Sequence, residues 1–451
     1  MTVMQKATRV LTVIVAGALT GAVSSVLPLR FFIALVACAL YAGLCAYSFR
    51  TALVVIMVLR GSLDHFNTYS IAVPGVGSVN AAAVAGLLVI AMAAAAVFTG
   101  EISLRTPLTA VWTVFLGTFA FCIMSGRDPA SGIESLLKFG SLASFYLLVY
   151  NYSFADRKNA RYFLKAIVFS SVIPMIAGVY QFATGTGNTF TPGLNRISGT
   201  FVHPNPFAYY LMVVISACVI LLYQKSVSGP GAAAVWAVLC IALAELFLTY
   251  TRGAWIGAAF TAALTFLRLK DRRKGRWLLL AVIFLAPLIP AVVSRFTGIT
   301  STRMEESSLT TRFYIWRNML AVSVESPLIG HGPGTFGIFA RRTIGWLIEA
   351  HNEYLRLFFE TGLIGLTVYI LLVSCALSGM RSGRGGSGNM ILVLAPGLFF
   401  SFLIMGAFDN IIDNLVSQWY LWAIIAIAQV ERRPVREGAC RQQVLLPEGG
   451  Q

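Results

Sequence analysis

Long apolar runs separated by short polar stretches organise the chain. They lie at about 10–27, 31–48, 79–99, 107–124, 136–152, 162–183, 206–223, 232–250, 253–267, 277–293, 353–377, 390–408 and 412–430. Most have the roughly 17–25 residues that an α-helix needs to cross a hydrocarbon core. A membrane barrel would instead alternate in segments of about ten residues. The pattern predicts an all-α, polytopic membrane bundle of about 12–14 spans. A shorter run, 51–60, reads as a tilted helix, a re-entrant piece or part of its neighbour. The first run starts like a signal peptide, but the many spans after it make it the first membrane helix. Two polar interruptions stand out, at 184–205 and, longest, at 294–350. The chain therefore divides into spans over 1–293, a long polar loop over 294–352, spans over 353–430 and a polar tail over 431–451.

Composition supports a membrane protein. Of 451 residues, 57% are hydrophobic and 12% charged, against about a quarter charged in globular domains. The net charge of +16 does not point to nucleic acid. Its excess sits in short loops: DRKNAR (156–161), RLKDRRKGR (268–276), RSGR (381–384) and ERRPVR (431–436). Such loops face the cytoplasm under the positive-inside rule. Alternation then puts the C-terminus in the cytoplasm, and the N-terminus with it if 51–60 crosses. It puts 184–205, 294–350, the 409–411 turn and the Tyr250–Gly253 junction outside. Six of the seven cysteines lie in apolar runs, with no C-x-x-C pair and no histidine at metal spacing, so neither a disulfide framework nor a metal site is expected.

The external elements carry the candidate chemistry. Arg252 sits in a junction of a few residues between two apolar runs. There its guanidinium needs water or a partner, and its planar fork suits a phosphate. An arginine snorkelling to lipid headgroups is the plainer alternative. Glu245, two helical turns earlier, is either its charge partner or a structural carboxylate. In the long loop, Thr310 or Ser308 can cap a helix starting near Arg312, with Trp316, Leu320 and Val324 on one apolar face. Arg312 falls in the first turn, where the helix dipole disfavours a cation and an anionic ligand would be welcome. Ser326-Pro327 ends that helix. The glycines of Gly330-His331-Gly332-Pro333-Gly334 permit positive φ or close approach of a ligand. A second amphipathic piece, about 335–348, with Phe336, Phe339, Ile344, Trp346 and Leu347, is expected to lie on the membrane surface. His351 opens the next span, where a helix N-terminus favours neutral imidazole and hence a general base. A histidine bonded to the loop backbone is the alternative. Local reasoning does not choose among His65, His203, His331 and His351.

Four motifs, GTFVHPNPFAYYL, LTYTRGAWIG, RFYIW followed by SPLIGHGPGTF, and AHNEYLRLFFETGLIG, resemble in order and spacing the O-antigen ligase and polysaccharide polymerase family. The resemblance covers about 196–366. It implies a membrane glycosyltransferase that takes a glycan from an undecaprenyl-diphosphate carrier on the external face of the bacterial inner membrane. No nucleotide sugar, cofactor or metal is implied. By motif, Arg252 and Arg312 match the arginines assigned to the diphosphate, Arg196 is a weaker match as a further phosphate ligand, and His351 matches the histidine that activates the acceptor hydroxyl. His203 receives no catalytic role. The acceptor is a growing glycan for a polymerase, lipid A-core for a ligase, or a protein; the wording of the proline- and glycine-rich motifs favours a polymerase. The membrane lipids are the remaining partners. A lipid-linked glycan flippase is the rival from another class, but it would gather charges near the membrane midplane on broken helices, whereas these collect at one interface.

Overall fold

The computed structural model describes residues 29–68, 71–73, 77–126, 128–191, 194–269, 309–345, 347–381 and 389–433. The expected spans at 10–27 and 277–293 lie outside these residues, as do Trp346 and the tail beyond 433. The chain falls into two compact units, Met1–Val55 and Ile56–Gln451. The first contains α1 (Leu29–Tyr47) and the start of α2 (Phe49–Leu63). The short run 51–60 is thus part of one continuous 15-residue helix, about 22 Å long at 1.5 Å per residue.

The second unit is helical: α3 (Ala81–Phe98), α4 (Thr109–Ser125), α5 (Pro129–Ala155), α6 (Arg157–Ser170), α7 (Val172–Thr184), α8 (Pro204–Tyr223), α9 (Gly229–Leu248), α10 (Arg252–Arg268), α11 (Leu309–Ser323), α12 (Phe336–Ile344), α13 (Glu353–Met380), α14 (Met390–Gly406) and α15 (Leu415–Arg432). Two small antiparallel hairpins interrupt it, β1–β2 (Ile71–Val73, Gly77–Val79) and β3–β4 (Asn188–Thr191, Leu194–Arg196). Among the described residues, six helical segments are long and apolar enough to cross a membrane, with α6 and α7 forming one of them. Many large apolar side chains on their outer faces are exposed, including Phe98, Phe169, Trp236 and Leu371, as a lipid-facing bundle requires. The chain is an all-α, multi-pass membrane protein.

Several boundaries differ from the hydropathy reading because capping, not apolarity, sets helix ends. Asp128 caps α5 seven residues before the apolar run, accepting from Ser131 N at 3.3 Å with Pro129 in the first turn. Asp156 caps α6 through Lys158 N at 2.8 Å. The basic stretch 157–161 is therefore the first turn of a helix and not a loop.

The hub is α15, buried from Val416 to Val430. Trp419 stacks on Phe145 of α5 at 4.9 Å. Gln429, deep in the bundle, accepts the Tyr146 hydroxyl at 2.6 Å, which satisfies a buried polar group that would otherwise cost stability. Cross-links at the helix ends define two ends of the bundle. At one, Arg157 pairs with Glu431 at 3.6 Å, Arg432 reaches Ser378 O at 2.7 Å and Gln224 reaches Asn389 at 2.6 Å. This is the basic end. The opposite end gathers the segments around 196–206, 249–252, 309–352 and 408–414.

The long loop builds its own small core there. Ile315 and Met319 of α11, Phe336, Phe339 and Ala340 of α12, Ile348, Ala350 and Phe359 are buried together. The buried stripe of α11 is Thr311–Ile315–Met319–Ser323, one position from the expected Arg312–Trp316–Leu320–Val324 face, of which Leu320 and Val324 are exposed. The inner face of α12 likewise packs against protein, where a surface-lying helix was expected, because Phe359 of α13 offers it a partner at 5.2–5.3 Å.

Candidate active site

His351 and Arg312 come from the long loop, Arg196 from the β3–β4 hairpin, and Arg252 from the α9–α10 junction. A short turn between α14 and α15, Ala407–Asn414, brings these elements together. His351 Nδ1 lies 3.2 Å from Asp409 Oδ1. The backbone N–H of Asn410 donates to the same oxygen at 2.9 Å. The other carboxylate oxygen accepts from the Tyr209 hydroxyl at 2.6 Å and from Asn205 Nδ2 at 2.9 Å. Burial alone would push the Asp409 carboxyl up. The His351 hydrogen bond and charge, the Tyr209 hydroxyl and nearby Arg312 overcome it and hold the group well below the usual carboxylate range. An ionised carboxylate only accepts hydrogen bonds, so the proton between them belongs to His351 Nδ1. In the neutral imidazole the lone pair is then on Nε2, the nitrogen turned from Asp409.

The backbone at His351 is unusual. Its φ is +45°, a left-handed conformation that costs about 1–3 kcal/mol when held in a folded protein. Two contacts hold it. Asn352 caps α13 through Tyr354 N and Leu355 N, at 3.1 and 3.0 Å. Trp316 Nε1 donates to Ala350 O at 2.8 Å, tying α11 to the residue before His351. The imidazole, 27% exposed, is oriented from its backbone and from its Nδ1 while its edge stays accessible.

The arginines are not equivalent. Arg196 is buried, and its guanidinium donates to Thr249 O at 2.8 Å, Asn205 Oδ1 at 2.9 Å and Thr251 Oγ1 at 3.1 Å. It ties the hairpin to the α9–α10 junction and fixes the amide that binds Asp409. The side chain expected as a further phosphate ligand is thus engaged in internal hydrogen bonds. Arg252 begins α10 directly after Thr251 and is half-buried. Tyr250 before it has φ +50°, which makes the sharp turn from α9 into α10. Arg312 donates through Nη1 to Phe408 O, next to Asp409. The structure therefore joins His351, Arg312 and Arg196 through the 408–409 turn and places Arg252 one residue from the same network.

The other candidates have different roles. His203 caps α8, its Nδ1 accepting from Asn205 N at 3.1 Å. Burial, then the neighbouring Arg196, with His351 acting in the same sense against Asp409, lowers its pKa to about 4. The His331 ring lies 4.7 Å from both Phe339 and Phe359, with Nε2 at 3.0 Å from Val322 O. The glycines around it serve packing. A Cβ at Gly332, φ +102°, would lie 2.5 Å from Gly126 Cα. The loop docks where α13 breaks at Gly362: Leu363 N and Ile364 N bond to Pro327 O and Leu328 O at 2.8 and 3.2 Å. Glu245 is buried with its carboxylate against Gly178 of α7, and among the described residues no donor bonds either oxygen. Among the described residues, no three His, Cys, Asp or Glu side chains gather as metal ligands would.

The motifs contain Asn205 and Tyr209 without giving either a role, and they leave out Asp409. The argument applied to Arg252 would have found Asp409, a charged residue in a brief turn between two apolar runs.

Comparison with known proteins converges on the same region. Residues 237–370 match a family described as O-antigen ligase. A ComP-specific O-oligosaccharyltransferase of Acinetobacter baylyi is 23% identical over 52% of this chain. That alignment covers 43% of the relative, less than half its length. An uncharacterized protein of Haemophilus influenzae is 22% identical over 57% of this chain and 68% of its own length. The matched region runs from α9 through Arg252, Arg312 and His351 into α13. The similarity to O-antigen ligases thus falls on residues 237–370.

Proposed function

We propose that the chain transfers a glycan from an undecaprenyl-diphosphate carrier to an acceptor hydroxyl on the external face of the bacterial inner membrane. The observation that carries this reading is the His351–Asp409 pair, which leaves Nε2 as a base at the accessible edge of the site. On this reading the acceptor hydroxyl gives its proton to Nε2 as its oxygen attacks the anomeric carbon. The imidazolium that forms is stabilised by Asp409. The bond to the lipid diphosphate breaks on the opposite side, and Arg252 and Arg312 meet the negative charge developing there. Arg196 acts from beneath, holding Asn205 and the α9–α10 turn in place. A single in-line displacement inverts the anomeric carbon and needs no metal, because arginines neutralise the leaving group. The basic end of the bundle is then cytoplasmic, with both termini, and loop 294–352 is the external catalytic segment between the two sets of spans.

The acceptor is a growing glycan, lipid A-core or a protein, and a polymerase of O-antigen or exopolysaccharide is the form the motifs favour. Purified protein supplied with lipid-linked repeat units, alone and then with lipid A-core, should give longer chains or a ligated product. Arg252→Ala, Arg312→Ala and His351→Ala should each lose most of it. Activity surviving in His351→Ala removes the base, and net retention at the anomeric carbon removes the single displacement. Translocation of labelled lipid without any transfer would establish the flippase instead.

A further inference from the structure

A cavity lies beside the turn that carries Asp409, bounded there by Asp413 and Asn414. It has a volume of about 330 Å³ and lies among α2, α3, α5, the Phe201–Pro206 segment and the start of α15. Its polar lining comes from Arg60, Asp64, Asn80, Glu134, Lys138 and Asp413. These charges largely cancel within the wall: Lys138 pairs with Glu134 at 2.9 Å, Arg60 faces Asp64 at 3.9 Å, and Asp413 pairs with Arg356 of α13. Apolar wall is contributed by Leu87, Phe201 and Val202.

Arg60 is the unusual member. It is 1% exposed, and among the described residues its Nε and Nη1 have no hydrogen-bond partner. Its guanidinium sits 5.3 Å from the Trp419 ring centroid. Buried guanidinium N–H groups are ordinarily satisfied, and leaving donors unmet costs stability. The other groups alternate acceptors (Asp64, Glu134, Asp413), donors (Lys138) and an amide that is both (Asn80). Mixed donors and acceptors of little net charge, beside apolar wall, match neither a phosphate nor an acyl chain. They match the hydroxyl-covered edges and apolar faces of a sugar. The volume is at the small end of ligand sites, which run from about 300 Å³.

We propose that this cavity is a saccharide subsite holding one or two sugar units of the acceptor glycan, reached over the 409–413 turn. The assignment rests on the transferase reading above. It makes the turn a shared partition: Asp409 serves the base on one side, and Asp413 serves the sugar on the other.

The test uses the full chain in lipid nanodiscs. The probe is fluorescently tagged saccharide released by mild acid from the lipid-linked pool of the source cell. Binding is measured in a His351→Ala background, which makes it independent of turnover. Glu134→Gln and Asn80→Leu should each weaken binding at least fivefold, and Ala83→Trp, which plugs the cavity, should abolish it. In the otherwise native chain, Glu134→Gln should raise the acceptor KM by a similar factor with kcat little changed. Unaltered binding in both Glu134→Gln and Asn80→Leu, or no saccharide binding by the His351→Ala protein, overturns the subsite even if transfer is robust. Absence of transfer with binding sensitive to the cavity variants would instead sink the transferase reading and keep the cavity.

Discussion

Asp409→Asn is the sharpest perturbation of the proposed base, because it changes one atom and its consequence can be worked from the hydrogen bonds. Each carboxylate oxygen now receives two donors. One side takes His351 Nδ1 and the Asn410 N–H; the other takes the Tyr209 hydroxyl and Asn205 Nδ2. An amide can accept on one side only. With its NH2 toward His351, the imidazole must carry its proton on Nε2 and lose the basic nitrogen, while the Asn410 N–H is left facing a donor. With its oxygen toward His351, the tautomer survives but the negative charge that stabilises the imidazolium is gone, and Asn205 Nδ2 faces a donor. Arg196 holds the Asn205 oxygen at 2.9 Å, so that amide does not flip freely. Either arrangement leaves one donor unmet, about 1–3 kcal/mol of stability.

The kinetic cost is larger. A positioned general base contributes about 10²–10⁴-fold, or roughly 3–5.5 kcal/mol at 1.36 kcal/mol per decade. Transfer from the lipid-diphosphate donor, followed by gel analysis of the glycan in initial-rate conditions, should show kcat lowered by about 10²–10⁴. The donor KM should move little. Tyr209→Phe removes one donor, leaves the charge and should cost about tenfold or less. If Asp409→Asn turns over within threefold of the unaltered protein while His351→Ala is inactive, the pairing does not set the state of the base.

Three further outcomes follow from single residues. Gly362 has φ +64° and ψ −165°, a region essentially reserved for glycine, and a Cβ there would lie 2.2 Å from Leu328 C. Gly362→Ala should therefore cost more than about 3 kcal/mol, read as a large fall in melting temperature in detergent; an unchanged melting curve would contradict the docking of the loop. Arg312→Ala should lower kcat by about 10²–10³, and Arg312→Lys, which keeps a charge but not the planar fork, should fall between; lysine behaving like arginine would argue against bidentate phosphate binding. His203, depressed to about 4 in the folded chain from an ordinary 6.5, binds fewer protons folded than unfolded between those values, so it favours folding fully above about pH 6.5 and loses that effect as pH falls toward 4. His203→Asn, which keeps a capping side chain, should flatten the acid limb of stability in that window.

The contrast between what the chain revealed and what it concealed has a physical cause. Membrane helices are written in local composition, since about twenty consecutive residues must be apolar, so the all-α bundle and the segments of its active-site end could be read directly. Helix ends are set by single capping side chains such as Asp128 and Asp156, and a hydropathy average washes these out. The candidate site was half legible for a related reason. Arg252, Arg312 and His351 announce themselves by being polar where the surroundings are not, and the motifs reinforce them. Asp409 obeys the same rule, but its role exists only across 58 residues of separation from His351, a relation no window spans.

Arg196 shows what a local reading leaves out. Read locally, an arginine in an external loop is free to bind a phosphate, whereas the folded hairpin turns it inward onto Thr249, Thr251 and Asn205. That inward turn gives the network its order. Arg196 fixes Asn205, Asn205 and Tyr209 fix Asp409, and Asp409 fixes the tautomer of His351. A chain of this kind transmits error as well as position. Arg196→Lys keeps the charge but can match at most part of the three-way hydrogen bonding, so it should damage turnover through the orientation of Asp409 even though Arg196 touches neither the base nor the reacting atoms. A reduced kcat with donor binding intact would mark that route. A selective loss of donor affinity would restore Arg196 to the diphosphate and make the buried hydrogen bonds incidental.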